Sequence, residues 1–245
     1  MEMKKIRHRL TFRLRRLISV FEPFYISHRH RLPTSRLVRC AGFVVARKPL
    51  DFLFDVTAQI RSEENYESAL VQALRSNVRA DDRITIIGGG LGVTAALAGS
   101  LSRTVVCYEA SKPYARIAAE TLKLNGQFNV ALVEAVVGVD VGVYGKEKTA
   151  LVLPPEALQD CDLLEMDCEG AETLILRRMT IQPRVIVVET HGLYGAPTAL
   201  IAGILEDKGY KVQNLGIAET RYSEFCRTAD IMCLVGLRMR KPDRS

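Results

Sequence analysis

Three side chains that can transfer protons follow two apolar runs of the sequence. Asp167 comes directly after the run 163–166, and Glu189 and His191 come directly after the run 184–188. On an extended segment, residues two apart point the same way, so Glu189 and His191 can act on one group. A histidine or a carboxylate can serve as a general base. These residue types could therefore form a site that removes a proton from a bound substrate.

The first apolar run is followed by a cluster of acidic residues. The stretch "LLEMDCEGAETLIL" contains Asp167, Glu169 and Glu172 at the point where a helix is expected to begin. The positive end of a helix favours carboxylates, so helix capping alone would account for one or two of them. Together with His191 they could instead hold Mg²⁺, which would lower the pKa of a coordinated hydroxyl. Capping, metal binding, proton transfer and a plain surface histidine are all open at this point.

A glycine-rich loop lies upstream, in the stretch "ITIIGGGLGVTA". Glycine lets the backbone turn sharply and lets a ligand come close, because it has no Cβ. Counted from Gly90, the spacing fits a dinucleotide fingerprint; counted from Gly88 through Gly90 to Gly92, it is typical of methyltransferases. Glu109, 19 residues beyond Gly90, stands close to where an acid binds a ribose, and we assign the adjoining Ala110 to the same site. The loop predicts a nucleotide-like cofactor and leaves its identity open.

Alternating strands and helices must position these groups. Short apolar runs alternate with segments whose apolar residues repeat every three or four positions, which predicts a doubly wound, mainly parallel α/β sheet. Ligands bind such sheets beyond the carboxyl ends of the strands, where all the groups above are found. Ser111 is the expected N-cap of one helix. The predicted strands cover residues 83–87, 104–108, 130–137, 163–166, 184–188, 210–215 and 231–237, and the predicted helices cover residues 63–78, 91–101, 111–125, 170–179 and 197–208.

The acidic stretch also resembles a family signature. The six residues from Asp167 to Glu172, "DCEGAE", are similar to the D-x-E-G-x-E pattern of FkbM-type S-adenosylmethionine-dependent methyltransferases, and the resemblance covers roughly residues 60–237, including the glycine loop and "VIVVETHG". It implies a Rossmann-like, seven-stranded class I methyltransferase sheet whose last two strands form an antiparallel hairpin. It implies that the three glycines and Glu109 bind S-adenosylmethionine. It also implies O-methylation of a hydroxyl on a sugar, glycolipid or natural-product-like small molecule.

One position departs from the family pattern and keeps other functions open. Ile86 stands two residues before Gly88, where an acidic residue is usual. A non-catalytic binding module on the same fold, and an NAD-dependent oxidoreductase that uses the same loop, are therefore alternative hypotheses. Methyl transfer could also depend on holding the acceptor in line, without an essential base. A nucleic-acid substrate is not expected, because the strand before Asp167 lacks the Asn/Asp-Pro-Pro-Tyr type of loop and an acidic rim repels phosphate.

The N-terminal segment differs in charge from the rest of the chain. Residues 1–50 contain 13 Lys or Arg and two acidic residues, whereas the whole chain has a net charge of +6. We therefore divide the chain into a basic arm, 1–50, and an S-adenosylmethionine-dependent methyltransferase domain, 51–245. In the arm, apolar residues from Ile6 to Phe24 follow a helical spacing that Pro23 is expected to end, and residues 25–50 are expected to form an irregular connector. Such a helix could contact an anionic membrane surface, a second copy of the chain or the domain itself.

The remaining composition predicts a cytoplasmic protein. The six cysteines include no C-x-x-C pair, so we expect buried thiols rather than disulfides or a zinc site. No apolar run reaches the ~18 residues needed to span a bilayer, and the N-terminus shows no secretory pattern. We expect the chain in the cytoplasm, with the helix of residues 6–24 able to reach the inner face of the membrane.

Overall fold

The secondary structure alternates between strands and helices through most of the chain. The computed structural model describes residues 20–53, 64–138 and 151–239. The strands are β1 (Arg36–Cys40), β2 (Phe43–Arg47), β3 (Arg83–Ile87), β4 (Thr104–Glu109), β5 (Val130–Glu134), β6 (Val136–Val137), β7 (Val152–Leu153), β8 (Leu163–Met166), β9 (Val185–Glu189), β10 (Tyr210–Ile217) and β11 (Met232–Arg238). The helices are α1 (20–28), α2 (Ser68–Asn77), α3 (Val93–Leu101), α4 (Lys112–Leu124), α5 (Glu172–Arg178), α6 (Thr198–Asp207) and α7 (Ser223–Ala229).

A seven-stranded sheet forms the centre of the molecule. Its strand order is β10-β11-β9-β8-β3-β4-β5. Neighbouring strands are parallel except at β11, which runs antiparallel to both β9 and β10. The predicted doubly wound α/β sheet with a closing antiparallel hairpin is confirmed. Because the chain leaves β5 and returns to β8 on the other side of β3, the strand order reverses between β3 and β8, and ligands bind at such a reversal.

The central strands are apolar on both faces, as expected when helices cover both sides of a sheet. On one face, Ile84 and Ile86 of β3 pack with Val187 of β9 and with α2 and α3. On the other face, Leu164 and Met166 of β8 pack with α5 and α6. These two apolar layers hold β3 and β8 side by side and so determine where the loops after them lie. The six cysteines are free thiols, and five of them are buried, as predicted.

Three predicted elements differ from the structure. The strand predicted over residues 130–137 is divided, because β5 ends at Glu134 in the main sheet and β6 pairs with β7 apart from it. The helix predicted over residues 63–78 begins only at Ser68, because Glu67 has a left-handed backbone with φ +43°; residue 63 lies outside the described residues. Helix α5 begins at Glu172 rather than at residue 170, because Gly170 has φ +106°. The other boundaries agree to within about two residues.

Residues 25–50 are not the irregular connector that the sequence predicts. Strands β1 and β2 form an antiparallel hairpin, and Val38 and Val45 of this hairpin lie in the core with α2 and α3. Arg29 forms a buried ion pair with Asp51 at 2.8 Å. The prediction is wrong because the many basic residues of the segment conceal the alternation of its few apolar ones. The division of the chain at residues 50 and 51 stays a prediction.

Helix α1 continues past Pro23 to residue 28, so the expectation that Pro23 ends it is wrong. A proline removes its own donor and crowds the preceding turn, so the turn that follows can stay helical. Val20, Phe21 and Phe24 on this helix are more than half exposed. Residues 6–19 lie outside the described residues, and contact of the arm with a membrane or a second copy, like the cytoplasmic location, stays a prediction. Within the described ranges, no helix has both the length and the apolar character to cross a bilayer.

Candidate functional site

The loop after β3 closes tightly against the loop after β8. Gly88 has φ +103°, and a Cβ added there would lie 1.8 Å from the carbonyl oxygen of Asp167. The N–H of Gly88 donates to the carbonyl of Tyr108, and the N–H of Asp167 donates to the carbonyl of Ile87, both at 2.9 Å. Only glycine fits at position 88, because any side chain would displace the backbone of Asp167. The predicted cofactor loop and the predicted acidic site are therefore in direct contact.

Gly90 and Gly92 serve the same loop in different ways. A Cβ on Gly92 would lie 2.7 Å from the Cα of Ala118 in α4, so this glycine allows the loop to pack closely on that helix. A Cβ on Gly90 would meet no atom within 4 Å, but the residue has φ +49°. Glycine is therefore favoured there by the left-handed backbone and not by a lack of space. The N–H of Gly90 donates to Oε2 of Glu109 at 2.8 Å. The cradle is thus made of backbone atoms and is tied to the end of β4.

Glu109 is the last residue of β4 and is 7% exposed. Its Oε1 accepts the N–H of Ser111 at 2.7 Å. Ser111 holds the N-cap position of α4 as predicted, but its hydroxyl makes no capping hydrogen bond. Burial raises the pKa of Glu109, and the backbone donors of Ser111 and Gly90 oppose that rise. The backbone N–H groups of Gly89 and Ala110 oppose the rise as well, so the carboxylate lies among backbone donors, and Ala110 is exposed beside it.

The loop between β8 and α5 is shaped by Glu172. This carboxylate is fully buried and accepts the N–H of Cys168 at 3.1 Å and the N–H of Gly170 at 2.8 Å. A Cβ on Gly170 would lie 2.6 Å from the carbonyl oxygen of Tyr194, so the loop also packs closely on the segment after β9. Helix α5 begins at Glu172 itself, with Ala171 at the N-cap position, so helix capping does not account for Asp167.

His191 lies at the centre of the acidic groups and is 3% exposed. Its Nδ1 lies 2.9 Å from Oε1 of Glu172. Its Nε2 lies 3.4 Å from Oδ1 of Asp167, and 3.7 Å from a carboxylate oxygen of Glu169 and from one of Glu189. The structure therefore brings together the candidate catalytic residues Asp167, Glu189 and His191, which come from two neighbouring strand ends. The alternative of a plain surface histidine is wrong.

Burial and charge act in opposite directions on His191. Burial lowers the pKa of the imidazole. The hydrogen bond to Glu172 and the charge of Asp167 raise it by more, so the pKa of His191 rises from 6.5 to about 9. Burial raises the pKa of Asp167 to about 7, although the positive charge of His191 opposes the rise. Burial and the charge of Asp167 hold the pKa of Glu189 well above its usual range. The arrangement therefore favours a charged imidazole, beside an Asp167 carboxyl that keeps its proton to a higher pH than a free aspartate does.

Asp167, Glu169 and His191 also have the donor types of a divalent-cation site. One ligand atom from each residue lies within 4.8 Å of the others. Glu172 engages Nδ1 of His191 and leaves Nε2 facing the two carboxylates, as a carboxylate does behind a metal-bound histidine. The donor set therefore fits a metal ion as well as a proton-transfer site.

The roles of two side chains of the site are not evident from the motifs. Glu172 has the position of a helix-start acid in the sequence, yet its carboxylate holds His191 and the loop. Glu165 lies within an apolar strand, yet it is a fully buried carboxyl two residues before Asp167. The signal for Glu165 is the strand alternation, because residues two apart on a strand share one face of the sheet.

Solved structures share this architecture. The chain is 18% identical to a precorrin-6y C5,15-methyltransferase from Geobacter metallireducens GS-15, over 74% of this chain and 91% of that chain, with a TM-score of 0.50. It is 11% identical to a ribosomal protein L11 methylase from Lactobacillus delbrueckii subsp. bulgaricus, over 72% of this chain and 80% of that chain, with a TM-score of 0.51. The fold is that of the class I methyltransferases. No family model and no curated protein matches the sequence, so the FkbM-type family stays a prediction.

Proposed function

We propose that this chain is an S-adenosylmethionine-dependent methyltransferase. The observation that carries the proposal is the contact between two loops at the reversal of strand order, where Gly88 leaves no room for a Cβ beside Asp167. The glycine backbone would hold the cofactor, and Glu109 would accept its ribose hydroxyls. S-adenosylmethionine supplies an electrophilic methyl group on a sulfonium. The residues after β8 and β9 would hold the acceptor beside that group.

The methyl acceptor in this proposal is a hydroxyl on a sugar, glycolipid or natural-product-like small molecule. Asp167 would take the hydroxyl proton, because its pKa of about 7 suits a base at neutral pH and its side chain is one quarter exposed. His191 would act as a cation that keeps Asp167 ionised and orients it, rather than as the base. Glu189, whose Oε1 lies 3.7 Å from His191 Nε2, would share the proton.

A divalent cation is an alternative way to activate the same hydroxyl. Asp167, Glu169 and His191 could hold Mg²⁺ or a similar ion, which would lower the pKa of a coordinated hydroxyl. Chelation with EDTA followed by gel filtration distinguishes the two schemes. The acid–base scheme predicts unchanged activity after chelation, whereas the metal scheme predicts loss of activity and its recovery with added cation.

The antiparallel strand β11 supports a methyltransferase over an NAD-dependent oxidoreductase. Dinucleotide-binding sheets are built from two parallel βαβαβ halves. Here the second half ends in a hairpin, in which β11 runs antiparallel to β9. Titration calorimetry with S-adenosylhomocysteine and with NADH tests this choice directly. Binding of NADH and not of S-adenosylhomocysteine would overturn the proposal.

Transfer of labelled methyl from S-adenosylmethionine to glycolipid, small-molecule and RNA fractions tests the reaction itself. We expect label in a hydroxyl-bearing small molecule or glycolipid. Asp167→Asn is expected to lower the rate about 100-fold or more, because a positioned base contributes that much. Glu206→Gln removes one exposed carboxylate at the end of α6 and is the matched control. Tight S-adenosylhomocysteine binding without transfer to any fraction would favour a non-catalytic binding module.

A further inference from the structure

Glu165 is a buried carboxyl whose environment does not explain its presence. It lies in the middle of β8 and is fully buried. Neither Oε1 nor Oε2 has a hydrogen-bond partner among the described residues. Leaving a buried polar group unpaired costs about 1–3 kcal/mol, and more when the group is charged. A side chain of this kind lowers the stability of the free chain and points to a role in binding.

The groups that face Glu165 are acids. Strand alternation places Glu165 on the same face of the sheet as Asp167, and the charges that act on Glu165 are those of Asp167 and Glu67. Glu67 directly precedes α2, which packs on that face. Oδ1 of Asp167 is likewise buried without a hydrogen-bond partner among the described residues. We call Glu67, Glu165 and Asp167 the acidic pocket. The imidazole of His191 lies 3.4 Å from Oδ1 of Asp167, and the unpaired carboxyl of Glu165 suits a cationic group of a ligand.

The acidic pocket adjoins the position where the glycine loop lacks an acid. In the sheet register, Glu165 pairs with Ile86 of β3, two residues before Gly88. Ile86 is fully buried and apolar and offers no charge to a ligand in the loop. The carboxyl on β8 therefore stands beside Ile86 at the same level of the sheet.

Topology determines which end of a bound cofactor would meet this pocket. Glu109 is on β4 and the glycine loop follows β3, while β8 lies on the opposite side of β3 from β4. A cofactor with its ribose at Glu109 and its middle over the glycines therefore extends its other end toward β8. In S-adenosylmethionine that end is the amino-acid part, which carries an α-ammonium.

We infer that Glu165, supported by Asp167 and Glu67, binds the α-ammonium of the cofactor's amino-acid part in place of an acid at position 86. The inference rests on the proposed function. It makes Glu165 a specificity-determining residue that separates ligands with an α-ammonium from ligands that have adenosine alone. It also explains why an unpaired carboxyl is kept in an otherwise apolar strand.

Two ligands isolate this contact. S-adenosylhomocysteine has the α-ammonium, whereas 5′-methylthioadenosine keeps the adenosine and lacks the amino-acid part. Calorimetry on the full chain measures both affinities for the wild type, for Glu165→Gln and for the control Glu206→Gln. We expect Glu165→Gln to weaken S-adenosylhomocysteine about tenfold or more, as for loss of a charged hydrogen bond, and to leave 5′-methylthioadenosine unchanged.

The thermal midpoint of the ligand-free chain shows whether the variant folds. We expect Glu165→Gln to keep or raise that midpoint, because it removes an unpaired buried carboxyl. An unchanged ratio of the two affinities would overturn the inference and leave the proposed function intact. An equal loss for both ligands would also overturn it, since that result means a general disturbance. If the wild type bound neither ligand, the proposed function would fail as well.

Discussion

The glycine loop follows β3, and the acidic edge, as we call Asp167, Glu169, Glu172, Glu189 and His191, follows β8 and β9. The two are in contact at Gly88 and Asp167, yet they are built in opposite ways. The loop is a neutral cradle of backbone atoms whose donors are paired with Tyr108 and Glu109. The edge, by contrast, contains a charged imidazole among four carboxylates, and Asp167 keeps a buried oxygen without a hydrogen-bond partner in the described part of the chain.

The difference separates two kinds of recognition. The loop depends on the absence of atoms, since a single Cβ at Gly88 would occupy the space of a neighbouring backbone oxygen. The edge depends on the balance between burial and charge, which raises the pKa of Asp167 from 3.8 to about 7 and that of His191 from 6.5 to about 9. The glycine loop therefore selects a ligand by its shape, whereas the acidic edge responds to the charge of a ligand and to pH.

The largest expected effect comes from filling the cradle with Gly88→Ala. The added Cβ would meet a backbone oxygen at 1.8 Å, at a backbone φ of +103° that alanine rarely adopts. We expect a loss of about 3–4 kcal/mol in the free energy of unfolding, measured by urea titration. Gly203→Ala in α6 is the control, because its Cβ meets no atom within 4 Å and alanine favours helix. Equal stability of the two variants would contradict the close contact.

The next effect comes from the edge, through Glu172→Gln. This fully buried carboxylate accepts two backbone N–H groups and holds Nδ1 of His191. We expect a loss of about 2–3 kcal/mol in the free energy of unfolding, because a charged hydrogen-bond acceptor is replaced by a neutral one. We also expect the pKa of His191 to fall below about 9, measured by NMR of its ring. A pKa that stays unchanged would show that Glu172 does not orient the imidazole, and Glu206→Gln is the control.

A smaller effect on the cofactor side is expected from Glu109→Gln. The N–H groups of Gly90 and Ser111 donate to different oxygens of Glu109, and the amide oxygen can accept from only one of them. We therefore expect the free energy of unfolding to fall by about 1–3 kcal/mol while the fold persists. The amide also weakens the acceptor that the ribose needs, so affinity for S-adenosylhomocysteine should fall about tenfold by calorimetry. The affinity for 5′-methylthioadenosine should fall equally, in contrast to Glu165→Gln. A loss limited to S-adenosylhomocysteine would place the ribose elsewhere.

The last effect is a pH dependence confined to the edge. The folded chain raises the pKa of Asp167 from 3.8 to about 7, so it keeps a proton that the unfolded chain has lost. The contribution of this group to stability is therefore greatest below pH 4 and is lost as the pH rises toward 7. We expect the stability of Asp167→Asn relative to the wild type to increase over that window, measured by urea titration. A difference that stays constant with pH would contradict the raised pKa.

His191 extends this dependence to higher pH. Its pKa is raised from 6.5 to about 9, so the stability that comes from the imidazolium is present below pH 6.5 and is lost as the pH rises to about 9. His191→Gln should remove the part of the pH dependence between those values. His28→Gln, on helix α1, is the control and should leave the pH dependence of stability unchanged. An equal change in that variant would show that the effect does not come from the acidic edge.

The N-terminal hairpin shows where the sequence is a poor guide. Basic residues dominate residues 25–50, and local charge conceals strands that are stabilised by packing on α2 and α3. Glu67 shows the same limit, because its left-handed backbone has no signal in a glutamate. Both features come from contacts with distant segments, which local patterns do not contain.

The sequence by itself predicted the seven strands of the sheet, which the structure confirms, and it predicted a cofactor loop at Gly88, Gly90 and Gly92 and three candidate catalytic residues. These follow from periodicity and residue type, which act over a few positions along the chain. Only the tertiary structure decided that Glu172 holds His191 and that Glu165 stands beside Ile86 in the acidic pocket. The reason is physical, because hydrogen bonding and charge depend on distances between strands, and the pairing of β3 with β8 joins residues about eighty positions apart.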